Sequence, residues 1–347
     1  MPCYRPLLAY QCANGAVVFS ELKKHDVTKT LNLPCGQCIG CRLERSQQWA
    51  TRCVHEAQQH KKNAFITLTY NDKHLPENNQ LIHKHWQLFM KKLRQQLVRN
   101  ELKSRTEPTK GKPPFTLLTT KNREINFPEK QNCQEQKQKQ NALQNATQKI
   151  RFYMAGEYSE KGRPHFHACL FGHDFKDKIY FKKTTNNGKL YTSATLDKIW
   201  GKGFCSIGDV THESAAYIAR YIMGKITGPN AALAYQRINE ETGEIYDLQP
   251  EYNKMSLKPG IGATWIEQYE TDVFPEGEVT LREGRRTRTP KYYDRKFKKK
   301  DRINYEEMLW KREQRAKEYI QDTTPERLKV REQVAQAKLN QLLRSLE

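Results

Sequence analysis

The segment IRFYMAGEYSEKGRPHFHACLFG, residues 150–172, predicts two antiparallel strands joined by a short turn. His165 and His167 are separated by one phenylalanine, so both imidazoles project from the same face of the second strand. If the turn comprises residues 160–162, Glu157 lies opposite His165, with Cβ atoms about 4.5–5.5 Å apart. A shift in register by one residue would move Glu157 to the other face. Two imidazoles and a carboxylate on one face predict a divalent cation site; two half-buried structural histidines are the alternative.

The segments around this hairpin predict an α+β fold. Strands are expected at residues 63–71 and 203–210, and helices at residues 83–100, 195–200 and about 211–226. Strands and helices therefore alternate around a central hairpin. The simplest architecture is a ferredoxin-like or RRM-like antiparallel sheet with helices on one face.

The composition divides the chain into three parts. Residues 1–60 form an N-terminal segment with a cysteine cluster, residues 61–270 form the main domain, and residues 271–347 form a basic, charged and mostly helical tail. Within the main domain, residues 101–149 are rich in Lys, Gln, Asn and Pro. Such a composition buries little apolar surface, so it predicts a mobile insertion.

The charge of the chain favours a nucleic-acid partner. The 60 Lys and Arg residues outnumber the 39 Asp and Glu residues, which gives a net charge of +21. Such an excess is typical of proteins that neutralise phosphates. An anionic membrane surface is the weaker alternative for this charge, and we expect no membrane partner. The mean hydropathy of −0.91 and the lack of a long apolar run predict no membrane-spanning segment. The first residues do not resemble a signal peptide, and nine cysteines, an odd number, favour reduced thiols in a cytoplasmic protein.

A second motif lies in the helix predicted from about residue 211. Tyr217, Tyr221 and Lys225 follow one another at intervals of four residues and therefore lie along one ridge of that helix. We expect the isoleucines of the adjacent ridge to anchor the helix, with the tyrosine hydroxyls reaching outward. Two amphipathic tyrosines with hydrated hydroxyls are a common structural feature. Beside a cation site, however, a tyrosine becomes a candidate nucleophile, and Lys225 a candidate for stabilising its charge.

A third motif is the segment PCGQCIGCR, which places Cys35, Cys38 and Cys41 at CxxCxxC spacing. Three thiolates are one ligand short of a structural zinc site, and Cys3, Cys12, Cys53 and several histidines are candidates for the fourth ligand. Iron–sulfur ligation and a packing role for reduced thiols are the alternatives. The neighbouring Arg42, Arg45 and Arg52 are candidates for phosphate contacts.

These motifs resemble those of a known superfamily. GRPHFHACLFG resembles the histidine–hydrophobe–histidine motif of the rolling-circle replication (HUH) endonucleases, YIARYIMGK resembles their two-tyrosine motif, and FITLTY resembles their first, structural motif. Together with PCGQCIGCR, the motifs are most similar to those of the replication initiators of gokushovirus-type single-stranded DNA phages, in the Microviridae. The resemblance covers roughly residues 30–265.

The resemblance implies an HUH endonuclease fold and a DNA-nicking and joining activity. His165 and His167 match metal ligands for Mg²⁺ or Mn²⁺, Tyr217 and Tyr221 match the nucleophiles, and Glu157 matches an acidic ligand of some members. The expected product is a 5′-phosphotyrosine link and a free 3′-OH primer. Expected partners are single-stranded and supercoiled phage DNA at the replication origin and the host replication machinery, in the host cytoplasm.

Other interpretations and residues complete the expectations. A non-catalytic single-strand-binding module would explain the charge, and a relaxase or a tyrosine transposase would share the chemistry. A hydrolase that used the histidines alone would leave no covalent adduct. In addition to Arg42 and Arg45, Arg163 and Arg220 are candidates for DNA contacts.

Overall fold

The computed structural model describes residues 3–20, 27–106, 150–184, 188–224, 231–239, 242–281, 284 and 286–341, with the backbone alone at 101–106, 220–224 and 231. The predicted insertion therefore lies outside the described residues, except for its first six, which continue the preceding helix to Thr106. None of the helices in the described part of the chain is long and apolar enough to span a membrane.

The main domain is built on a seven-stranded sheet in which every neighbouring pair is antiparallel, in the order β12-β5-β6-β4-β9-β8-β7. Its strands are β4 (Asn63–Thr69), β5 (Arg151–Tyr158), β6 (Pro164–Phe171), β7 (Ile179–Lys183), β8 (Lys189–Thr192), β9 (Cys205–Gly208) and β12 (Tyr252–Met255). The central strands β4, β5, β6 and β9 agree with the sequence prediction. The edge hairpin β7–β8 and the edge strand β12 were not predicted, because these strands are short and lie among charged and turn-forming residues.

Helices cover both faces of this sheet, not the single face that we expected. Alternate residues of β4 separate the two layers, since Ile66 packs with Trp86 of α2 (His83–Thr106), whereas Phe65 packs with Ala50 of α1 (Ile39–Gln58). The first layer also contains α3 (Ala194–Trp200), and the second contains α4 (His212–Gly224). The reason is that β6 is buried along its whole length and the middle of β4 is buried on both faces, so each face needs a covering layer.

The N-terminal segment folds as a small sheet ahead of α1. Strands β1 (Leu7–Cys12), β2 (Val17–Val18) and β3 (Val27–Leu33) pair in the order β2-β1-β3. Helix α1 packs against α4, and the Ser46 hydroxyl of α1 donates a hydrogen bond to the Ala216 carbonyl of α4 at 3.2 Å. Thus the N-terminal segment directly supports the tyrosine helix.

The shorter elements after α4 are α5 (Ala231–Tyr235), β10 (Gln236–Ile238), β11 (Ile245–Asp247), α6 (Ala263–Gln268), α7 (Glu270–Val273), β13 (Glu278–Thr280) and β14 (Arg286–Arg288). From residue 291 the predicted tail is helical, with α8 (Lys291–Lys300), α9 (Arg302–Lys317) and α10 (Pro325–Asn340). Tyr293, Phe297 and Met308 form a separate buried cluster there. Since the Tyr293 hydroxyl lies 3.0 Å from His55 Nδ1, this part packs against α1.

Candidate active site and cysteine cluster

The predicted register of the hairpin is confirmed. Glu157 of β5 pairs with His165 of β6, and Ala155 pairs with His167. Glu157 Oε1 lies 3.1 Å from His165 Nε2 and 2.8 Å from His167 Nε2. One ligand atom from each of the three residues lies within 4.8 Å of the other two, so they can share one cation. We call Glu157, His165 and His167 the triad.

The Nδ1 atoms of both imidazoles are held by neighbouring groups. His165 Nδ1 lies 3.3 Å from the Arg163 carbonyl oxygen, and His167 Nδ1 lies 2.9 Å from the hydroxyl of Thr67 on β4. A carbonyl can only accept, so His165 donates through Nδ1 and keeps the Nε2 lone pair for a cation. Such outer contacts fix the orientation and tautomer of metal-binding histidines. Sequence reasoning missed Thr67, although the alternation within β4 could have placed it on this face.

Burial determines the protonation state of these histidines. Burial lowers the pKa of His165 to about 4, and it lowers the pKa of His167 well below its ordinary value, an effect to which His165 adds. Both imidazoles are therefore neutral at neutral pH, which is the form that binds metals.

The tyrosine helix α4 places Tyr217 against the triad. The Tyr217 ring meets the His167 ring edge-on, with centroids 5.1 Å apart. Tyr217 is only 5% exposed, which corrects our expectation of an outward-facing hydroxyl. The reason is that Tyr217 packs inside the same buried cluster as Ile218 and Phe65, and not at the solvent-exposed edge of that cluster. Tyr221 lies one turn further along α4, and its side chain is outside the described residues.

The basic residues that sequence analysis selected occupy different settings. Lys225 and the side chain of Arg220 lie outside the described residues. Arg163 pairs with Asp72 at 2.7 Å beside the triad. The Arg52 guanidinium lies 4.1 Å from the ring centroids of both Trp49 and Tyr292, and its Nε donates to the Ile261 carbonyl at 3.0 Å, so this residue takes part in packing.

The other two arginines lie close to the cysteine motif. Arg42 is partly exposed, and Arg45, which is exposed, lies 3.5 Å from the Gly36 carbonyl oxygen. The structure brings Cys35, Cys38 and Cys41 together, and Cys3 joins them. Of the other candidates for the fourth position, Cys53 is buried beneath α4 and Cys12 lies at the end of β1. We call Cys3, Cys35, Cys38 and Cys41 the cysteine cluster.

Comparison with known proteins supports the resemblance that the motifs indicated. Residues 114–226, which include the triad and both tyrosines, match the family model Replication-associated protein ORF2/G2P. The chain is 29% identical over 300 residues to Replication-associated protein VP4 of Bdellovibrio phage phiMH2K, covering 86% of this chain and 78% of the relative. The chain is related to phage replication-associated proteins.

Two further replication-associated proteins extend this relationship. ORF2 of Spiroplasma virus 4 is 27% identical over 341 residues, which cover 91% of this chain and 87% of the relative. ORF4 of Chlamydia phage 1 is 26% identical over 198 residues, which cover 56% of this chain and 38% of the relative. No solved structure matches the chain significantly. The relationship to replication-associated proteins therefore rests on sequence.

Proposed function

We propose that this chain is a metal-dependent nickase and strand-joining enzyme of the HUH type that initiates rolling-circle replication of a small phage genome. The observation that carries this proposal is the 5.1 Å edge-on contact between Tyr217 and His167. A tyrosine nucleophile needs a nearby positive charge, because its pKa near 10 leaves about one phenolate in a thousand at neutral pH. The triad supplies a place for such a charge.

The donor atoms of the triad fit a divalent cation with open coordination positions. Two imidazole nitrogens and one carboxylate oxygen form a mixed set that Mn²⁺ accepts readily, while the carboxylate also suits Mg²⁺. Three protein ligands leave positions for a phosphate oxygen and water. When bound, the cation would neutralise charge that develops on the scissile phosphate. The cysteine cluster has no part in this reaction, since its four sulfur ligands fit a closed, structural Zn²⁺ site.

The residues of the chain then have separate roles in the transfer. The Tyr217 oxygen attacks the phosphorus, the bond from phosphorus to the 3′-oxygen breaks, and that oxygen takes up a proton. The strand is left with a 3′-OH primer and a 5′-phosphate esterified to tyrosine. Thr67 and the Arg163 carbonyl keep the triad histidines oriented. Tyr221, one turn away, would perform a second transfer that joins the ends, and we assign Lys225 to stabilise the phenolate.

This activity implies the remaining partners. The substrate would be single-stranded or supercoiled phage DNA at its replication origin, and the 3′-OH would serve the replication machinery of the host, in the host cytoplasm. Arg42, Arg45, Arg163 and Arg220 remain our proposed DNA contacts. For Arg163 this requires DNA phosphate to displace Asp72, whose side chain is highly exposed.

The test is covalent capture of labelled DNA. Purified protein is mixed with single-stranded DNA that carries a candidate origin, with Mn²⁺ or with EDTA, and resolved on an SDS gel. We expect an adduct that requires Mn²⁺ and survives SDS, and that is absent from the His165→Ala/His167→Ala double variant. DNA binding without an adduct, across several origins and with Mg²⁺ as well as Mn²⁺, would instead favour the non-catalytic single-strand-binding module. A preference for hairpin transposon ends or transfer origins would favour a tyrosine transposase or a relaxase.

A further inference from the structure

The four sulfur atoms of the cysteine cluster lie close together without forming a disulfide bond. Its four sulfur atoms all lie within 4.8 Å of one another, and three of the four cysteines are buried. None of them forms a disulfide: the Sγ atoms of Cys3 and Cys38 are 3.9 Å apart, nearly twice the length of a disulfide bond. Thiols brought this close without a bond are typical of metal ligands.

Backbone N–H groups point at the sulfur atoms. The amide of Cys35 donates to Cys3 Sγ at 3.3 Å, and the amides of Gln37 and Cys38 donate to Cys35 Sγ at 3.4 and 3.3 Å. The amide of Tyr4 donates to Cys38 Sγ at 3.3 Å. Hydrogen bonds of this kind stabilise a negatively charged sulfur, so these amides favour the thiolate forms of Cys3, Cys35 and Cys38. Several thiolates in one buried space require a cation between them.

We propose that Cys3 is the fourth ligand of a structural Zn²⁺ site completed by Cys35, Cys38 and Cys41. A tetrahedral zinc with Zn–S bonds of about 2.3 Å places its sulfurs about 3.8 Å apart, which agrees with the 3.9 Å between Cys3 and Cys38. Four protein ligands leave no position for substrate. The site therefore fastens Cys3, ahead of β1, to the start of α1, and α1 in turn supports the tyrosine helix.

Metal analysis of the full chain tests this assignment. We expect a single Zn²⁺ per purified wild-type chain, at least a tenfold weaker retention of zinc in Cys3→Ser, and wild-type retention in Cys12→Ser. Cys3→His should recover zinc, because a histidine nitrogen can replace a thiolate in such sites whereas it cannot reproduce the packing of a small thiol. Substitution with Co²⁺ gives a second measurement through its thiolate charge-transfer absorption. Wild-type zinc retention in Cys3→Ser would overturn the proposal, and so would iron, or no metal at all, in the wild type.

A separate feature of the structure concerns the sheet beside the triad. Directly opposed residues of neighbouring strands project from the same face of a sheet. Across the sheet, one row of such residues on the face of the triad consists of Glu157, His165, Thr69 and Phe204. The Thr69 amide donates to the Phe204 carbonyl at 3.0 Å, which extends the β4–β9 register to this position. Phe204 is 48% exposed although it lies only two strand spacings, about 10 Å, from His165.

Phe204 belongs to an aromatic and basic surface. Its ring lies 5.4 Å from that of Phe181, which is also 48% exposed, on the edge strand β7. The Lys182 ammonium lies 5.9 Å from the Phe181 ring. The other exposed lysines around this hairpin are Lys176, Lys183 and Lys189. Exposed aromatic rings among lysines fit single-stranded nucleic acid, because bases stack on the rings while the ammonium groups meet phosphates.

We infer that Phe204 and Phe181 are a stacking platform for bases of single-stranded DNA a few nucleotides from the phosphate at the triad. The placement relative to the cleaved phosphate rests on the proposed function, whereas the binding of single strands does not. The distance of about 10 Å from His165 to Phe204 is on the scale of a few nucleotides, since nucleotides in duplex DNA are about 3.4 Å apart along one strand. The platform would hold the strand independently of base identity.

The test separates binding from chemistry. Binding of a fluorescent single-stranded oligonucleotide is measured by anisotropy in EDTA, where no adduct forms. We expect Phe204→Ala to weaken binding about 5- to 100-fold, since stacking of one base contributes about 1–3 kcal/mol. Phe204→Trp should retain affinity. Phe19→Ala is the matched control, because Phe19 is 62% exposed but lies in the N-terminal segment.

Each outcome has a distinct meaning. Unchanged affinity in Phe204→Ala, or an equal loss in Phe19→Ala, would overturn the platform. A third outcome is that wild type forms no adduct while Phe204→Ala shows the expected loss of affinity for single strands. That result would overturn the nickase proposal but would support the platform.

Discussion

The triad and the cysteine cluster are two groups of side chains that could each hold a metal ion, and they differ in their donor atoms and in their surroundings. The triad combines two nitrogen donors with one oxygen donor and has Tyr217 in contact with His167. The cysteine cluster offers four sulfur donors and joins two segments of backbone. Three mixed ligands leave coordination positions for substrate, whereas four thiolates close the coordination sphere. If the proposed roles hold, the chain separates the groups that carry out its reaction from the groups that support its architecture.

The largest effect should come from removing triad ligands. We expect His165→Ala/His167→Ala to reduce adduct formation by at least about 100-fold, because a metal contributes several kcal/mol to stabilising charge in the transition state. The measurement is the initial rate of adduct formation with Mn²⁺. Cys3→Ser, assayed at low temperature where it remains folded, should keep a rate within about tenfold of wild type. Equal reductions of the rate of adduct formation in the two variants would contradict the separate roles that we propose for the two clusters.

The next largest effect should come from removing the hydroxyl of the proposed nucleophile, Tyr217. We expect Tyr217→Phe to lower the rate of the first cleavage by at least about 100-fold, because the ring and its contact with His167 remain while the attacking oxygen is lost. Tyr221→Phe is the matched variant on the same helix. Mass spectrometry of the tyrosyl–DNA peptide identifies which residue carries the DNA. A full rate in Tyr217→Phe would assign the first step to Tyr221 instead.

These two clusters also differ in how much the sequence could predict. The triad lies within one hairpin, so the turn length and the alternation of side chains sufficed to place Glu157 opposite His165. The pairing of β1 with β3 brings Cys3 next to Cys35, and local sequence patterns carry no information about that pairing. Sequence analysis could therefore name Cys3 only as one of several candidates.

The same distinction explains the errors in the fold. The periodicity of β4, β6 and α2 is local and gave correct elements, whereas the number of helical layers depends on which strand faces become buried together. The burial of Tyr217 has the same origin. Its position on the helix was predictable, but its packing with Phe65 depends on how α4 crosses the sheet.

An intermediate effect should follow from the outer contact of the triad. Thr67→Val removes the hydroxyl that lies 2.9 Å from His167 Nδ1, and we expect the affinity for Mn²⁺ to fall about 10- to 100-fold. The measurement is free Mn²⁺ by electron paramagnetic resonance during titration of the protein. Thr67→Ser retains the hydroxyl and should restore most of the affinity. If Thr67→Ser were as weak as Thr67→Val, strand packing rather than orientation of the imidazole would explain the loss.

The smallest effect is the loss of folding stability at low pH. This loss must be known before metal release at low pH is used to compare the two clusters. His55 of α1 is buried, lies 3.0 Å from the Tyr293 hydroxyl and stacks on Trp265, and burial lowers its pKa to about 3. Because the unfolded chain binds the proton near pH 6.5 and the folded chain does not, the stability due to His55 falls as pH drops below 6.5. Between pH 7 and 5.5 this loss is about 1 kcal/mol.

The variant His55→Gln tests this loss because glutamine does not titrate and can still accept a hydrogen bond from Tyr293. At pH 7 it should be less stable than wild type, since the stacking on Trp265 is lost. From pH 7 to 5.5 the difference in unfolding free energy between wild type and variant should narrow by about 1 kcal/mol, measured by urea denaturation with the metal content held constant. A difference that stays constant over this range would mean that folding does not lower the pKa of His55. Acid release of metal from either cluster could then be attributed to its own ligands without a contribution from His55.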